Sequence, residues 1–366
     1  MLLKDRLVNT FIELVRIPSP SLKERDFADY LKSKLESLGL RVFEDSSGKA
    51  LGGNSGNIYA FLEGSGEPIL ISAHMDTVSP GENINPKIQG EYIVSDGTTI
   101  LGSDDKAAIA GILEALQAIK EENIIGRNVE LLFSIGEENG LLGAKNLDVS
   151  LIRAKEGYVL DGEGDIGTLI LKAPTHDRFY LYIYGKASHA GTSPEKGLNA
   201  ILLSSEFLLS LPWGRINDIT TANIGIVKGG RATNIVPDEV YLEGEFRSLE
   251  KENIETLWKN FVKELSKIEL KGGKYELKKE NLYKGFSISK EEQVVKRIVS
   301  VLEKMGKNIR TIHTMGGSDA NILNSYGIKT INVGIGMENP HSKEERIKIE
   351  SLYETAVLIY NLIKGE

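Results

Sequence analysis

The chain has 366 residues, 41% of them hydrophobic and 26% charged, the composition of a soluble globular protein long enough for two domains. A net charge of −8 argues against non-specific nucleic-acid binding, which needs a basic face. With no cysteine, disulfides and thiolate ligands are excluded, so any transition-metal site must use carboxylates and the five histidines.

The N-terminal stretch MLLKDRLVNTFIELVRI mixes charge and apolar residues at helical spacing and predicts an amphipathic first helix, not a signal peptide. No apolar run is long enough to span a bilayer, so a cytoplasmic location without a membrane partner is expected. Phe27, Leu31, Leu35 and Leu38 recur at helical spacing. PILISAHMD predicts a buried strand running into a polar turn. Ile109, Ile112, Leu113, Leu116 and Ile119 then predict an amphipathic helix. NVELLFSIGEEN and GYVLDGE read as further strands, and this alternation implies an α/β domain with a mixed, mostly parallel sheet.

The middle of the chain differs. DRFYLYIYG alternates as a half-buried strand, and a helix is expected with Leu198, Ile201, Leu202, Ser205 and Leu209 on one face. Strands at ANIGIVK and DEVYLEGEFRS follow, then a helix carrying Ile254, Leu257, Trp258, Phe261, Val262 and Leu265, and a last strand at KYELKKEN. The order β-α-β-β-α-β is the ferredoxin-like arrangement. The expected organisation is one α/β domain built from residues 1–174 and 285–366, interrupted by an inserted α+β domain at 175–284. A helix near 291–305, a strand near 309–314, GIKTINVGIG and a closing helix complete the discontinuous domain.

The chemistry-bearing residues sit at strand ends. His74 and Asp76 end one strand, Asp104 and Asp105 open a helix, Glu137 and Glu138 follow a strand, Asp161 ends another, and His341 lies in a loop after INVGIG. In an open parallel sheet the carboxyl ends of the strands line the ligand crevice. Taken singly, each residue has a plain structural role open to it, such as a helix cap for Asp104–Asp105 or a turn for Asp161. Together they form a metal-site pattern. Two Zn²⁺ ions would be balanced by Asp104, Glu138, Asp161 and a bridging hydroxide, with His74 and His341 as nitrogen ligands and Glu137 left over as a base. Co²⁺ and Mn²⁺ suit the same donors. His176 and His313 lack such company and are taken as structural or surface residues.

SAHMDTV, LGSDDKAAIAG, SIGEENGLLGA, VLDGEG, ASHAGTSPEKGLNA, RATNIVPDEVYLEGEFRS and GGSDAN…NPHS resemble the M20 family of metallopeptidases, most closely its peptidase T-like branch, over nearly the whole chain. The resemblance implies a zinc-exopeptidase-type fold and a two-metal exopeptidase acting on short peptides. It implies that Asp104 bridges the metals, with Asp105 not a ligand, that His74 and Asp161 hold one and Glu138 and His341 the other, and that Asp76 orients His74. Glu137 would be the general base and acid. The inserted domain would be a lid, with His189 stabilising the oxyanion from its own or a partner subunit, Arg247 binding a substrate carboxylate, and Asn234, Gly317 and Ser318 contacting substrate. It also implies a homodimer through the lid. The rival readings are an N-acyl-amino-acid deacylase or carboxypeptidase on the same scaffold, and, more remotely, a catalytically idle metal-binding protein.

Overall fold

Apolar strands and helices assemble, in a computed structural model that describes residues 1–365, into two units. The first comprises Met1–Leu171, Ser287–His313 and the chain from Ser318 onward; the second comprises Lys172–Phe286 with Thr314–Gly317.

The first unit is built on a nine-stranded sheet. Its four central strands run Arg127–Ser134, Ser65–His74, Glu156–Gly162, Lys329–Gly334 across the sheet, every neighbouring pair parallel. Antiparallel strands flank them, Ile58–Leu62 beside Arg127–Ser134 and Thr168–Ala173 beside Lys329–Gly334. The second half of Ser65–His74 and most of Arg127–Ser134 are buried, which explains why apolar residues predominate there, Ser72 and the Arg153-paired Glu130 being buried exceptions. Ser65–His74 comes first in the chain among the four. The next strand lies on one side of it and the following strand on the other. The order therefore reverses at Ser65–His74, and the crevice of an open α/β sheet forms at that switch point, beyond the carboxyl ends of the strands. His74 is the last residue of the central strand, paired in register with Ser134.

Helix Lys4–Val15 buries Leu7, Val8, Phe11, Leu14 and Val15, and Arg25–Ser37 buries Phe27, Leu31 and Leu35, as their spacing predicts. Helix Ser103–Glu121 departs from the expected amphipathic pattern. It is buried around most of its circumference, because Lys4–Val15 and Ile349–Lys364 both pack against it. Gly111 permits the second contact: a Cβ there would lie 3.0 Å from Thr355 Cγ2. Asp104 and Asp105 have non-helical dihedral angles, so the regular helix begins after them.

The second unit carries a five-stranded antiparallel sheet in the order Gly214–Asn217, Thr220–Gly229, Glu239–Ser248, Thr175–Tyr184, Lys274–Tyr283. This is the ferredoxin-like strand order with one short edge strand added. Helix Ala200–Leu209 turns a different face inward from the one expected. Ala200, Leu203, Ser204 and Phe207 are buried, whereas Ile201, Leu202 and Leu209 are 39%, 61% and 87% exposed. Two constraints set this phase: Asn199 Oδ1 accepts the N–H groups of Ile201 and Leu202, and Phe207 meets Phe261 edge-on at 4.9 Å. Phe261 also packs on Phe179, Phe246 and Trp258 at 4.7, 5.6 and 5.5 Å, at the centre of an aromatic core.

Phe261→Ala is expected to destabilise the second unit by about 3–5 kcal/mol, the usual cost of emptying an aromatic core position. Both tryptophans of the chain, Trp213 and Trp258, belong to this unit, so denaturant titration followed by their fluorescence reads the loss directly. A loss below about 1 kcal/mol would show that the cluster relaxes into the gap.

Candidate metal centre

The site lies within the first unit, where His74, Asp104, Glu138, Asp161 and His341 come together. Asp104 is the shared member. Its Oδ1 lies 3.0 Å from His74 Nε2 and its Oδ2 lies 3.1 Å from His341 Nε2. Asp161 Oδ1 is 4.0 Å from His74 Nε2, and Glu138 Oε1 is 2.8 Å from His341 Nε2. Two donor groups therefore overlap at one carboxylate, and ligand atoms of His74, Asp104 and Glu138 all fall within 4.8 Å of one another.

The electrostatics are those of a site that wants cations. Burial disfavours the His74 imidazolium, yet the bonds to Asp104 and the nearby Asp76 outweigh it and hold the pKa well above its ordinary value. Burial would also raise Asp104, but His341 and His74 hold it far below the carboxylate range. Burial and then the charge of Asp161 keep Glu137 well above that range; burial and then Asp104 do the same to Asp161. Glu138 Oε1 is buried and makes no hydrogen bond despite its short approach to His341, and Asp105 Oδ1 and Asp319 Oδ1 are likewise buried without a partner. A 2.8 Å approach of His341 to Glu138 that lacks hydrogen-bond geometry, in a nitrogen and oxygen donor set of this kind, fits one or more divalent cations.

The turn bearing Glu137 and Glu138 is fastened from below. Asp76 Oδ1 accepts the Glu137 N–H at 2.9 Å, and Oδ2 accepts the Glu138 N–H at 3.2 Å and the Ser21 hydroxyl at 2.6 Å. His74 Nδ1 bonds the backbone carbonyl of Asp76 at 2.9 Å, while the carboxylate stands at 3.5 Å. Asp76 thus orients His74 with its main chain and the glutamate turn with its side chain. Glu24 adds a bond from Gly136 N–H at 3.0 Å, and burial followed by the Asp76 charge pushes its pKa up to about 7. Asp105 accepts the His74 backbone N–H at 3.1 Å. Lys106 is fully buried, with its ammonium on the Ile17 carbonyl at 2.7 Å and over the Phe27 ring.

Three participants escape the sequence pattern. Asp319 is 2% exposed, takes a hydrogen bond from the Ser134 hydroxyl, and is pushed up to about 6 by burial. Its one sequence signal is its place directly after the helix cap Ser318 in GGSDAN. Glu24 and Glu345 look like surface acids in the sequence and are buried.

The remaining expected residues fall elsewhere. His189, Asn234, Arg247 and Gly317 belong to the second unit. His189 is exposed, and its Nδ1 accepts the N–H groups of Gly191 and Thr192 at 3.1 and 3.2 Å, which places the ring hydrogen on Nε2. Asn234 is brought beside it through the Ala190 N–H to Asn234 carbonyl bond. Arg247 is paired with Glu245 and donates to the Met315 carbonyl. Gly317 lies so close to the Tyr283 ring that a Cβ would stand 2.2 Å from it. Ser318, in the first unit, is buried, and its hydroxyl caps the helix Asp319–Ser325. Of the two remaining histidines, His176 is buried with Nε2 2.9 Å from Glu245, and His313 is exposed.

Asp76→Ala removes the carboxylate clamp and leaves the carbonyl bond to His74 intact. It is expected to weaken metal retention or turnover about 10- to 100-fold, as the loss of outer-layer partners does in metal sites. Metal content after dialysis, read beside initial rates, checks this; wild-type values in both would assign the clamp to the backbone alone.

The chain matches known proteins over nearly its whole length. Residues 70–365 match the model of peptidase family M20/M25/M40. The uncharacterized protein YqjE of Bacillus subtilis is 40% identical over 367 residues, covering 100% of this chain and 99% of its own. The crystal structure of aminopeptidase PepT from Bacillus cereus superposes with a TM-score of 0.94 at 39% identity, covering 100% of this chain and 99% of that one. That of a tripeptidase from Staphylococcus aureus gives 0.96 at 40%, covering 100% and 98%. On a family match and full-length similarity of this extent, the chain belongs to the M20/M25/M40 peptidase family.

Proposed function

We propose that the chain is a metal-dependent aminopeptidase of short peptides, of tripeptidase type. The observation that carries the reading is the carboxylate of Asp104 shared between His74 and His341, with Asp161 and Glu138 beside them. The names of the two similar structures, an aminopeptidase and a tripeptidase, support the substrate class.

His74 and Asp161 would hold one cation, Glu138 and His341 a second, and Asp104 both. Zn²⁺ is the expected metal, with Co²⁺ and Mn²⁺ suiting the same donors. Bound cations would supply Lewis acidity and ease the deprotonation of water near neutral pH. Glu137, buried beside this group, takes the proton of the attacking water on its carboxylate and returns it to the leaving amine nitrogen. Its pKa is held up by burial and by the charge of Asp161, which is the charge a bound cation offsets.

Substrate contacts from His189, Asn234, Arg247, Gly317 and Ser318 belong to the same reading. The Nε2 hydrogen of His189 suits it to donate to an oxyanion. Arg247 is suited to a substrate carboxylate by its planar fork, which Glu245 occupies here. Asn234 supports the proposal by its place beside His189. For a homodimer, the support is the exposed apolar strip Ile201, Leu202 and Leu209. No helix among the described residues is long and apolar enough to cross a membrane, and a cytoplasmic location stays part of the proposal.

Free tripeptides are expected to be cleaved at least tenfold faster than their N-acetylated forms by metal-replete enzyme, and preference for the blocked peptides would replace the aminopeptidase reading with a deacylase. Glu137→Gln should lower kcat by about 10²–10⁴ with metal content unchanged, the usual worth of a general base, whereas Glu138→Gln should lose metal. Equal metal loss from both would overturn the division of roles. In light scattering a dimer mass is expected, and a fully active monomer would remove the dimer from the proposal.

A further inference from the structure

Glu345 lies in the turn of a short hairpin whose strands are Met337–Glu338 and Arg346–Lys348, the same turn that carries His341. It is 1% exposed. Its carboxylate accepts five hydrogen bonds from one distant segment. Leu101 and Gly102 N–H reach Oε2 at 2.7 and 2.8 Å; the Ser103 N–H and hydroxyl, both at 2.6 Å, and Asp104 N–H at 3.2 Å reach Oε1. Gly102, at φ +74°, curls this segment so that successive N–H groups converge into an anion-binding nest, and the anion is the side chain of Glu345.

The nest ends at Asp104, and the turn holds His341 four residues before Glu345. The two ends of this connection are therefore the two groups that meet at 3.1 Å, His341 Nε2 and Asp104 Oδ2. Packing does not fix His341, since its side chain is 53% exposed. Its backbone has φ +62° and that of Asn339 +54°, conformations that persist only where the surroundings hold them. Within the turn the ties are short-range: Ser342 Oγ donates to the Asn339 carbonyl, Glu344 N–H donates to Ser342 Oγ, Glu345 N–H reaches the Ser342 carbonyl at 3.3 Å, and Asn339 Nδ2 reaches the Glu344 carbonyl at 3.4 Å. Outside it, Ser95 N–H reaches the Glu345 carbonyl at 3.2 Å, and the buried connection from the turn to Asp104 is the Glu345 carboxylate.

We infer that Glu345 is a positioning residue for the cation held by His341 and Glu138: by clamping the segment that leads into Asp104, it sets the gap between His341 and Asp104. The inference rests on the two-cation reading above. It makes the two cations unequal in their dependence on this one carboxylate: Asp104 serves both, but His74 and Asp161 sit on sheet strands, whereas His341 takes its place from the hairpin turn.

The test compares Glu345→Gln, Ser103→Ala and His341→Ala with the parent enzyme, using Zn²⁺ in competition with a chelator and the visible spectrum of the Co²⁺-loaded forms. Glu345→Gln is expected to keep one tightly bound ion per chain and bind the second about 10- to 100-fold more weakly. Its kcat should return at saturating Zn²⁺ with KM unchanged. Ser103→Ala removes only the hydroxyl bond, should shift the second affinity in the same direction by a few-fold, and carries the test if Glu345→Gln does not fold. His341→Ala must lose the same ion. If it keeps two tight ions, the two-cation reading fails. If it loses one while Glu345→Gln and Ser103→Ala bind both as the parent does, changing only the melting temperature of the metal-free protein, Glu345 is a structural residue and the inference is overturned.

Discussion

Like charges crowded in a poorly screened space repel, and the crevice beyond the central strands is arranged around that fact. Asp104, Asp105, Glu137 and Asp319 are each less than a tenth exposed, and the side chains of Glu138 and Asp161 are 9% and 15% exposed. Two unit charges about 4 Å apart interact by about 4 kcal/mol at an effective dielectric of about 20, so a few such pairs rival the whole net stability of a domain. The two imidazoles relieve part of this, which is why Asp104, flanked by both, is held low while Glu137 and Asp161 are held high. A polypeptide keeps such a cluster only where cations complete it or where protons do. The unpartnered oxygens of Glu138, Asp105 and Asp319 mark the places where protein groups have not completed it.

A second set of carboxylates keeps the first set in place. Asp76 binds the N–H groups of Glu137 and Glu138, Glu24 that of Gly136, Asp105 that of His74, and Glu345 those of the segment ending at Asp104. Each acts on backbone, and each comes from a different stretch of chain than the group it fixes, or from the far side of a turn. Charge-assisted bonds to main-chain N–H groups are stronger than neutral ones and spend no donor side chain that the centre needs. The arrangement also accounts for how many acids this small region contains: one layer faces the centre, and another faces the loops that carry it.

Much of this was legible in the sequence because strand ends announce themselves. An apolar run stopping at His74, at Ser134 before Glu137, or at Asp161 gives both the strand and the residue at its mouth, and the parallel sheet converts those positions into neighbours. Glu345 and Glu24 were not legible, since nothing local separates an acid that caps a distant loop from one in solvent; their burial is decided by chain segments many residues away. The helix Ala200–Leu209 failed for a related reason. Leucines and isoleucines stand on more than one face of it, so periodicity cannot choose, and the choice falls to Phe261 and the Asn199 cap. The helix Ser103–Glu121 misled in the opposite sense, its alanines and Gly111 being small enough to bury against a second and third neighbour.

The neighbouring glutamates show the two layers acting together. Adjacent residues on a turn would leave two carboxylates free to splay into solvent, and their mutual repulsion would favour that. Asp76 prevents it by taking the N–H of each on a separate oxygen, which fixes the peptide planes on either side of Glu137 and so the directions in which the two side chains leave. Glu138 leaves toward His341, 2.8 Å away, while the charges that act most on Glu137 are those of Asp161, His74 and Asp319. Two identical side chains thereby occupy different electrostatic surroundings one residue apart. A division of labour between base and ligand then needs no difference in residue type. It needs only the clamp that sets their directions.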